Sequence, residues 1–197
     1  MKILNSLRWF FCYLSVLSGL TLMSGTLRAT EFNTVLPQLS RVTFVFKQMN
    51  VPIEGQFKRF KGQLRFDPAK PAATQADIEI AVDSIDAGSA EANDEVAGKL
   101  WFNRAVYPTA RFVATSITAL DTRHFDVRGT LTMKGKTLEV RFPASVTVDA
   151  SHVVFEGGFT IKRAEFAIGE GIWADFGTVA NEVQVKFRLA AASGKKS

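Results

Sequence analysis

From about residue 41 onward, apolar and polar residues alternate with a period of two along most of the chain, which places one set of side chains on a buried face and the other in water. Val42, Phe44 and Phe46 alternate with Arg41, Thr43 and Lys47; Leu64 and Phe66 with Gln63 and Arg65; Ile78, Ile80 and Val82 with Asp77, Glu79 and Asp83. Phe125, Val127, Leu131 and Met133 oppose His124, Asp126, Arg128, Thr130 and Thr132, and Leu138, Val140 and Phe142 oppose Thr137, Glu139 and Arg141. The last run is the cleanest, with Val183, Val185, Phe187 and Leu189 against Glu182, Gln184, Lys186 and Arg188. The pattern predicts eight strands, near 41–49, 56–66, 76–85, 110–118, 123–133, 136–148, 152–163 and 182–190.

Turn chemistry separates most of these runs. Asp67-Pro68-Ala69-Lys70-Pro71 removes two ladder donors, Lys134-Gly135-Lys136 suits a tight hairpin, and Gly157-Gly158 predicts a bulge or sharp bend. Between the third and fourth strands, Ser89 to Phe102 breaks the alternation: Val96, Ala97 and Leu100 form a helical stripe, and Glu91, Asp94 and Glu95 lie toward its start, where negative charge offsets the helix dipole. One helix is expected there, ending before Pro108. The class is all-β. A meander of this kind closes into a barrel or stacks as two sheets, and a barrel of this strand number has an interior either filled by side chains or able to hold one small ligand.

Residues 1–29 have another character: basic Lys2 and Arg8, an apolar stretch from Trp9 to Met23, then Ser24 to Ala29. They read as a secretory signal cleaved after Ala29, because the apolar run falls short of the roughly 20 residues that span a bilayer. The expected division is a signal at 1–29, one domain at 30–190 and a frayed tail at 191–197. The only cysteine, Cys12, lies in the leader behind bulky Trp9, Phe10 and Phe11, unlike an acylated lipoprotein cysteine. The exported body therefore uses neither disulfides nor thiol chemistry.

The whole chain has a formal charge of +5, but Lys2, Arg8 and Arg28 account for most of it, and the body is near neutral. Such a body is no phosphate-binding surface, which excludes nucleic acid as a partner. His124 and His152 stand singly at predicted strand starts, and no His or Cys pair has metal-ligand spacing. The acids Asp83, Asp86, Glu91, Asp94 and Glu95 lack the alternation and glycine of a calcium loop. Gly169-Glu170-Gly171 is too short and acidic to cradle a phosphate. Lys47, Lys58, Arg59 and Lys61, beside Phe57 and Phe60, form either a solvated strand face or a contact for anionic lipid headgroups or a diphosphate.

Phenylalanine dominates what remains: 17 residues, only Phe10 and Phe11 of them in the leader. An interior so lined offers few groups to orient a polar metabolite. It suits a hydrocarbon, since each buried CH₂ contributes roughly 0.8 kcal/mol. Plain core is the competing reading of the same composition.

The order and spacing of several short stretches resemble the YceI family over nearly the whole body, from Asn33 to Leu189. They are Ser40-Arg41-Val42-Thr43-Phe44, Glu54-Gly55-Gln56-Phe57, Phe66-Asp67-Pro68, Ser84-Ile85-Asp86, Trp101-Phe102 with Tyr107-Pro108, Gly129 to Gly135, and Ile161-Lys162-Arg163 with Phe166 and Ile168. The resemblance implies an eight-stranded antiparallel lipocalin-like barrel, exported to the periplasm, that binds a long isoprenoid or quinone-type lipid without turning it over. It implies no other cofactor, and at most transient membrane contact. The chain departs from the family pattern at Leu39 and Gln48, where histidines are common, at Ala87 in place of Thr, and at Ala167 in place of Gly.

Strand phase assigns the inward, ligand-facing set: Phe44, Phe46, Leu64, Phe66, Ile80, Val82 and Phe112 from the first half of the sheet, and Val127, Leu131, Val140, Phe159, Ile161, Val185 and Phe187 from the second. Trp101, Phe102, Phe166 and Trp173 are expected to shape a mouth or plug, and Arg163 to meet a polar head or to be a surface cation. Two other outcomes stay open: a structural or stress-response domain with a solid interior, and an enzyme acting on a lipid headgroup through Arg163 with Glu165 or Asp175.

Overall fold

The alternating segments form strands, and the sheet bends where the alternation slips. In the computed structural model, which describes residues 31–149 and 151–193, one antiparallel sheet of eleven strands curls around an apolar interior. The strands are β1 (Phe32–Val35), β2 (Arg41–Gln48), β3 (Val51–Phe57), β4 (Phe60–Arg65), β5 (Gln75–Ala81), β6 (Ile85–Asp86), β7 (Thr109–Ala119), β8 (His124–Met133), β9 (Lys136–Val148), β10 (His152–Lys162) and β11 (Glu182–Ser193). A single α-helix, α1 (Ala90–Ala97), is found among the described residues. The spatial order is β4-β5-β7-β8-β9-β10-β11-β2-β3-β6, with β1 on the flank of β11. The expected leader, residues 1–29, lies outside the described residues.

This corrects the expected closed barrel of eight strands. The run predicted at 56–66 breaks at Lys58-Arg59 into the end of β3 and β4, and the run at 76–85 breaks at a 3-10 turn, Val82–Ser84, that leaves β6 as a separate two-residue strand. β1 is too short to show a period. The helix therefore falls between the sixth and seventh strands rather than the third and fourth, although it occupies the expected stretch of chain.

The two breaks face each other and lock together. The Arg59 amide donates to Ser84 Oγ at 3.0 Å, the Lys58 amide to the Ser84 carbonyl at 3.1 Å, and the Ala81 amide to the Arg59 carbonyl at 3.0 Å. From this corner the two arms diverge: β4 and β5 stay with β7, while β3 and β6 stay with β2. The ladder is consequently open, ending at β4 on one side and β6 on the other, with a lone bridge from Phe32 to Phe66 tying β4 to β1.

The helix forms where Ser89 caps it: its hydroxyl accepts the Ala92 amide at 3.2 Å, and Glu91 occupies the first turn. It stops at Gly98 and continues as tight turns through Asn103. The Lys134-Gly135 hairpin forms as expected, both residues having positive φ, whereas Gly157 and Gly158 keep a continuous register with β11 and make no bulge there. β11 runs beyond its predicted end to Ser193, so Ala191 is fully buried core rather than tail.

The interior has two ends. At one, Phe32, Phe66, Phe125 and Phe155 fill the space, with the Phe66 ring edge-on to Phe155 at 5.1 Å and to Phe125 at 6.3 Å. In the middle, Phe142 stacks on Phe159 at 4.9 Å and meets the edge of Phe187 at 5.4 Å. The other end, roofed by α1 and its following turns, is not filled.

Candidate functional site

At the roofed end lies a cavity of about 110 Å³. Phe44 and Phe46 of β2, Phe57 of β3 and Ile85 of β6 supply one wall. Ile161 of β10 with Val183 and Val185 of β11 continue that wall along the sheet, Val185 pairing with Phe44, and Val96, Trp101 and Phe102 come down from α1 and the turn after it. Met133, Ile168 and Val179 complete the lining beside Arg163. The surface is almost wholly hydrocarbon, and Phe46, Phe57, Phe102, Val183 and Val185 are only half-buried, so the cavity reaches toward solvent between them.

Rings of the interior fold against glycines of the neighbouring strand, and among them Phe44 lies on this cavity. Phe44 lies over Gly55 on β3, Phe112 over Gly129 on β8, and Phe187 over Gly157 on β10. A Cβ at Gly129 would stand 2.5 Å from Phe112 Cε2, and one at Gly157 would stand 2.7 Å from Phe187 Cζ. Each ring thus lies along the sheet where a side chain on its neighbour would force it toward the axis.

Of the ligand-facing set expected from strand phase, Phe44, Phe46, Trp101, Phe102, Ile161, Arg163 and Val185 line this cavity. Leu64, Phe66 and Val127 belong instead to the filled end. Phe112, Val140 and Phe159 pack between the two clusters, Phe187 packs on the filled end, and Ile80, Leu131, Phe166 and Trp173 brace the outer cluster around Trp101. Val82 is buried in the corner turn. The alternation carried the signal for Val42, Phe57 and Val183 on the wall, and the helical stripe carried it for Val96. Ile168 and Val179 come from irregular chain with no period to mark them.

Arg163 is neither a surface cation nor a free headgroup ligand. It is 2% exposed, and its five N–H groups all donate to backbone carbonyls. Nε donates to Ala180 at 3.1 Å, Nη1 to Ile168 at 3.0 Å and Gly169 at 2.9 Å, and Nη2 to Trp173 at 2.7 Å and Val179 at 2.8 Å. Burial pushes its pKa down from the usual arginine range, and the carbonyl cage offsets the lost hydration. Trp101 and Phe176 flank the guanidinium at 5.4 and 5.2 Å from their ring centroids, within cation–π range. The residue gathers the irregular segment from 168 to 180 onto the cavity.

The remaining polar candidates have structural duties. Lys58 pairs with Asp86 at 2.8 Å, Arg59 with Asp83, and Lys61 with Glu79 at 3.0 Å, so these members of the basic cluster are matched by acids across the strands. Asp121 accepts the amides of Arg123 and His124, and Asp149 those of Ser151 and His152, which makes each histidine the end of a capped hairpin turn. Glu165 and Asp175 do not line the cavity. Among the described residues, no group of three or more His, Cys, Asp or Glu side chains is placed to hold a metal ion.

Comparison with known proteins agrees with this architecture. The chain is 45% identical to the solved structure of BcnA from Burkholderia cenocepacia, with a TM-score of 0.77 over 80% of this chain and 99% of that one. A polyisoprenoid binding domain from Saccharophagus degradans shares the fold at 18% identity, with a TM-score of 0.66 over 84% of this chain and 99% of that domain. A UPF0312 protein of Azotobacter vinelandii is 30% identical over 66% of this chain and 69% of its own length. One from Pseudomonas putida is 36% identical over 47% of this chain, a match spanning about half the relative's length. The model of the YceI-like domain matches residues 34–191, and the chain belongs to that family.

Proposed function

We propose that the protein binds a long-chain isoprenoid or similar lipid, of which a quinone-type molecule is one example, and that it sequesters or carries this lipid without chemical change. The observation that carries the reading is the apolar cavity between β2, β11 and the turn after α1, walled by Phe44, Phe46, Phe102 and Val185. Burying two prenyl units there contributes about 8 kcal/mol before ordering costs. The relationship to a domain named for polyisoprenoid binding supports the same ligand class.

The cavity of about 110 Å³ is below the ~300–1,000 Å³ usual for ligand sites and is nearer the size that admits a single ring. A long chain therefore enters by displacing the half-buried rings of Phe46, Phe57 and Phe102. The protein works in the periplasm as one domain, after removal of the leader at 1–29. It takes its cargo during brief contact with a membrane through Ile172, 82% exposed, and Phe176 on the loop that Arg163 organises. No described helix is long and apolar enough to cross a membrane.

Mass spectrometry of organic extracts from the purified mature protein, together with titration of a fluorescent isoprenoid, tests the reading. A stoichiometric isoprenoid and saturable uptake are expected. Neither extractable lipid nor uptake would leave the protein a structural domain.

A further inference from the structure

Five of the nine large apolar side chains exposed among the described residues stand on segments that also build the cavity. Met49 and Val51 flank the tip of the β2–β3 hairpin, Leu100 lies in the turns after α1, and Ile172 and Phe176 are carried by the loop that returns to β11. Hydrogen bonds fasten the hairpin and the turns to that loop. The Met49 amide donates to the Thr178 carbonyl and the Ala180 amide to the Lys47 carbonyl, both at 2.9 Å, and the Gly169 and Glu170 amides reach the Leu100 carbonyl at the same distance. Each segment sends a neighbouring side chain into the lining, namely Phe46, Trp101 and Val179, so the exposed rim and the cavity share one backbone.

The hairpin tip is built at a conformational cost. Its two loop residues, Met49 and Asn50, have φ of 50° and 65°, the positive values of a tight hairpin turn, where Gly, Asn or Asp fits and a long side chain is disfavoured. Met49 is nonetheless 74% exposed, with Val51 exposed beside it. The fold covers neither side chain, and a partner outside the chain that covered both would offset the cost. Charge selects the kind of partner. Within three residues of the five apolar side chains, Lys47 and Lys99 face Glu54, Glu170 and Asp175, and Glu170 is already paired with Lys134 at 2.8 Å. This rim has no cationic collar for an anionic headgroup.

We infer that the tip of the β2–β3 hairpin, Met49 and Val51, is a second membrane-docking element beside the loop of Ile172 and Phe176, and that the two together seat on a zwitterionic phospholipid bilayer by apolar insertion rather than by charge. The inference rests on the proposed lipid-binding function and names the surface from which the cargo is drawn. Side chains borne singly on separate turns match a surface that deforms around each of them, and their near-neutral surroundings match headgroups without net charge. Because the Met49 amide and the Lys47 carbonyl are tied to the loop at Thr178 and Ala180, hairpin and loop seat as one unit, with Phe46 and Val179 of the cavity directly behind them.

Flotation of the purified protein with vesicles of phosphatidylcholine and phosphatidylethanolamine tests this. The wild type is expected to float with them, its affinity staying within about twofold between ~0.05 and ~0.5 M NaCl. The double variant Met49→Asn, Val51→Thr alters no cavity residue and places Asn where φ is positive, so it is expected to melt no lower than the wild type. It is expected to bind the vesicles roughly ten- to hundredfold more weakly, to draw a fluorescent isoprenoid from donor vesicles correspondingly more slowly, and to take up the same probe from dilute solution unchanged. Flotation of the variant equal to that of the wild type overturns the inference and leaves the loop contact standing. Wild-type flotation that requires phosphatidylglycerol and vanishes in high salt overturns it in favour of charge. Absence of wild-type flotation also overturns it, and self-association that the variant abolishes would then make the rim an interface between copies of the chain. Flotation as expected, with no isoprenoid taken up from vesicles or solution, supports the docking surface and overturns the lipid-binding function.

Discussion

The guanidinium of Arg163 lies over the indole of Trp101, 5.4 Å from its ring centroid, and joins two segments that no strand pairing connects. Trp101 belongs to the turns after α1, whereas Arg163 begins the irregular stretch that returns to β11. The amides of Gly169 and Glu170 both donate to the Leu100 carbonyl at 2.9 Å, so backbone and side chain fasten the same contact.

Replacing Arg163 by Lys keeps the charge but supplies three donors where five carbonyls wait. Carbonyls left buried without partners destabilise the fold, and Arg163→Lys is expected to lose about 3 kcal/mol. Equilibrium urea unfolding measures this, and a loss below about 1 kcal/mol would show the cage to be dispensable.

Phe66 and Phe46 lie at opposite ends of the interior and separate stability from binding. Phe66 is 2% exposed and packed among rings, so Phe66→Ala is expected to cost about 3–5 kcal/mol, with isoprenoid affinity per folded molecule preserved. Phe46→Asp, on the half-buried cavity wall, is expected to fold with a smaller loss and to abolish uptake. Denaturation curves and probe titrations on both variants distinguish the two ends.

Adding a methyl group at Gly55 sets it against the Phe44 ring and, at 2.6 Å, the Asp86 carbonyl. Gly55→Ala is expected to cost about 1–3 kcal/mol and to turn Phe44 into the cavity, weakening isoprenoid binding. Unchanged melting and affinity would mean that the ring does not depend on the glycine.

Ala167 closes the short 3-10 turn at Arg163–Phe166 with φ of 55°, a backbone region that suits glycine. Ala167→Gly is expected to stabilise the protein by up to about 1 kcal/mol, read as a rise in melting temperature. A fall would show that the turn is not strained.

Asp121 is held down to about 2, first by the Arg123 amide and then by the His124 side chain and amide. A carboxylate whose folded pKa is depressed stabilises above its unfolded value near 3.9, and the contribution is lost as pH falls toward 2. Melting temperature is expected to hold between pH 7 and 5 and to drop between about 4 and 2, and Asp121→Ala is expected to melt below wild type at pH 7 with the gap narrowing through that window. A gap that stays constant across the window would place the effect elsewhere.

Much of this architecture is written in residue phase, including the bends that an eight-strand reading passes over. Phe57 and Phe60 are three apart where an unbroken strand would put inward residues two or four apart, and the slip marks Lys58-Arg59. Val82 and Ile85 show the same spacing at the facing corner, and Ala114 and Ile117 show it at the register shift in β7. β1 leaves no such trace, since four residues hold too little pattern. The aromatic wall at Phe44 and Phe46 was legible from alternation, but which phenylalanines plug and which line a space depends on cross-strand partners that one strand does not reveal. Arg163 was misplaced for a similar reason: its partners are main-chain carbonyls of irregular chain, and a carbonyl has no signature in side-chain sequence.

Because the rungs of the sheet end at β6 and at β4, and the chain leaving β6 passes through α1 before it enters β7, one flank of the chamber is upholstered with a helix instead of being stitched with backbone. That helix is fastened to its surroundings by the Ala87 amide on Asn93 Oδ1 and the Trp173 indole on Glu95, besides greasy contact from Val96. Swinging it aside breaks no ladder, so the softest direction in which the molecule can swell runs past α1, and a bulky guest makes room there without unravelling the sheet.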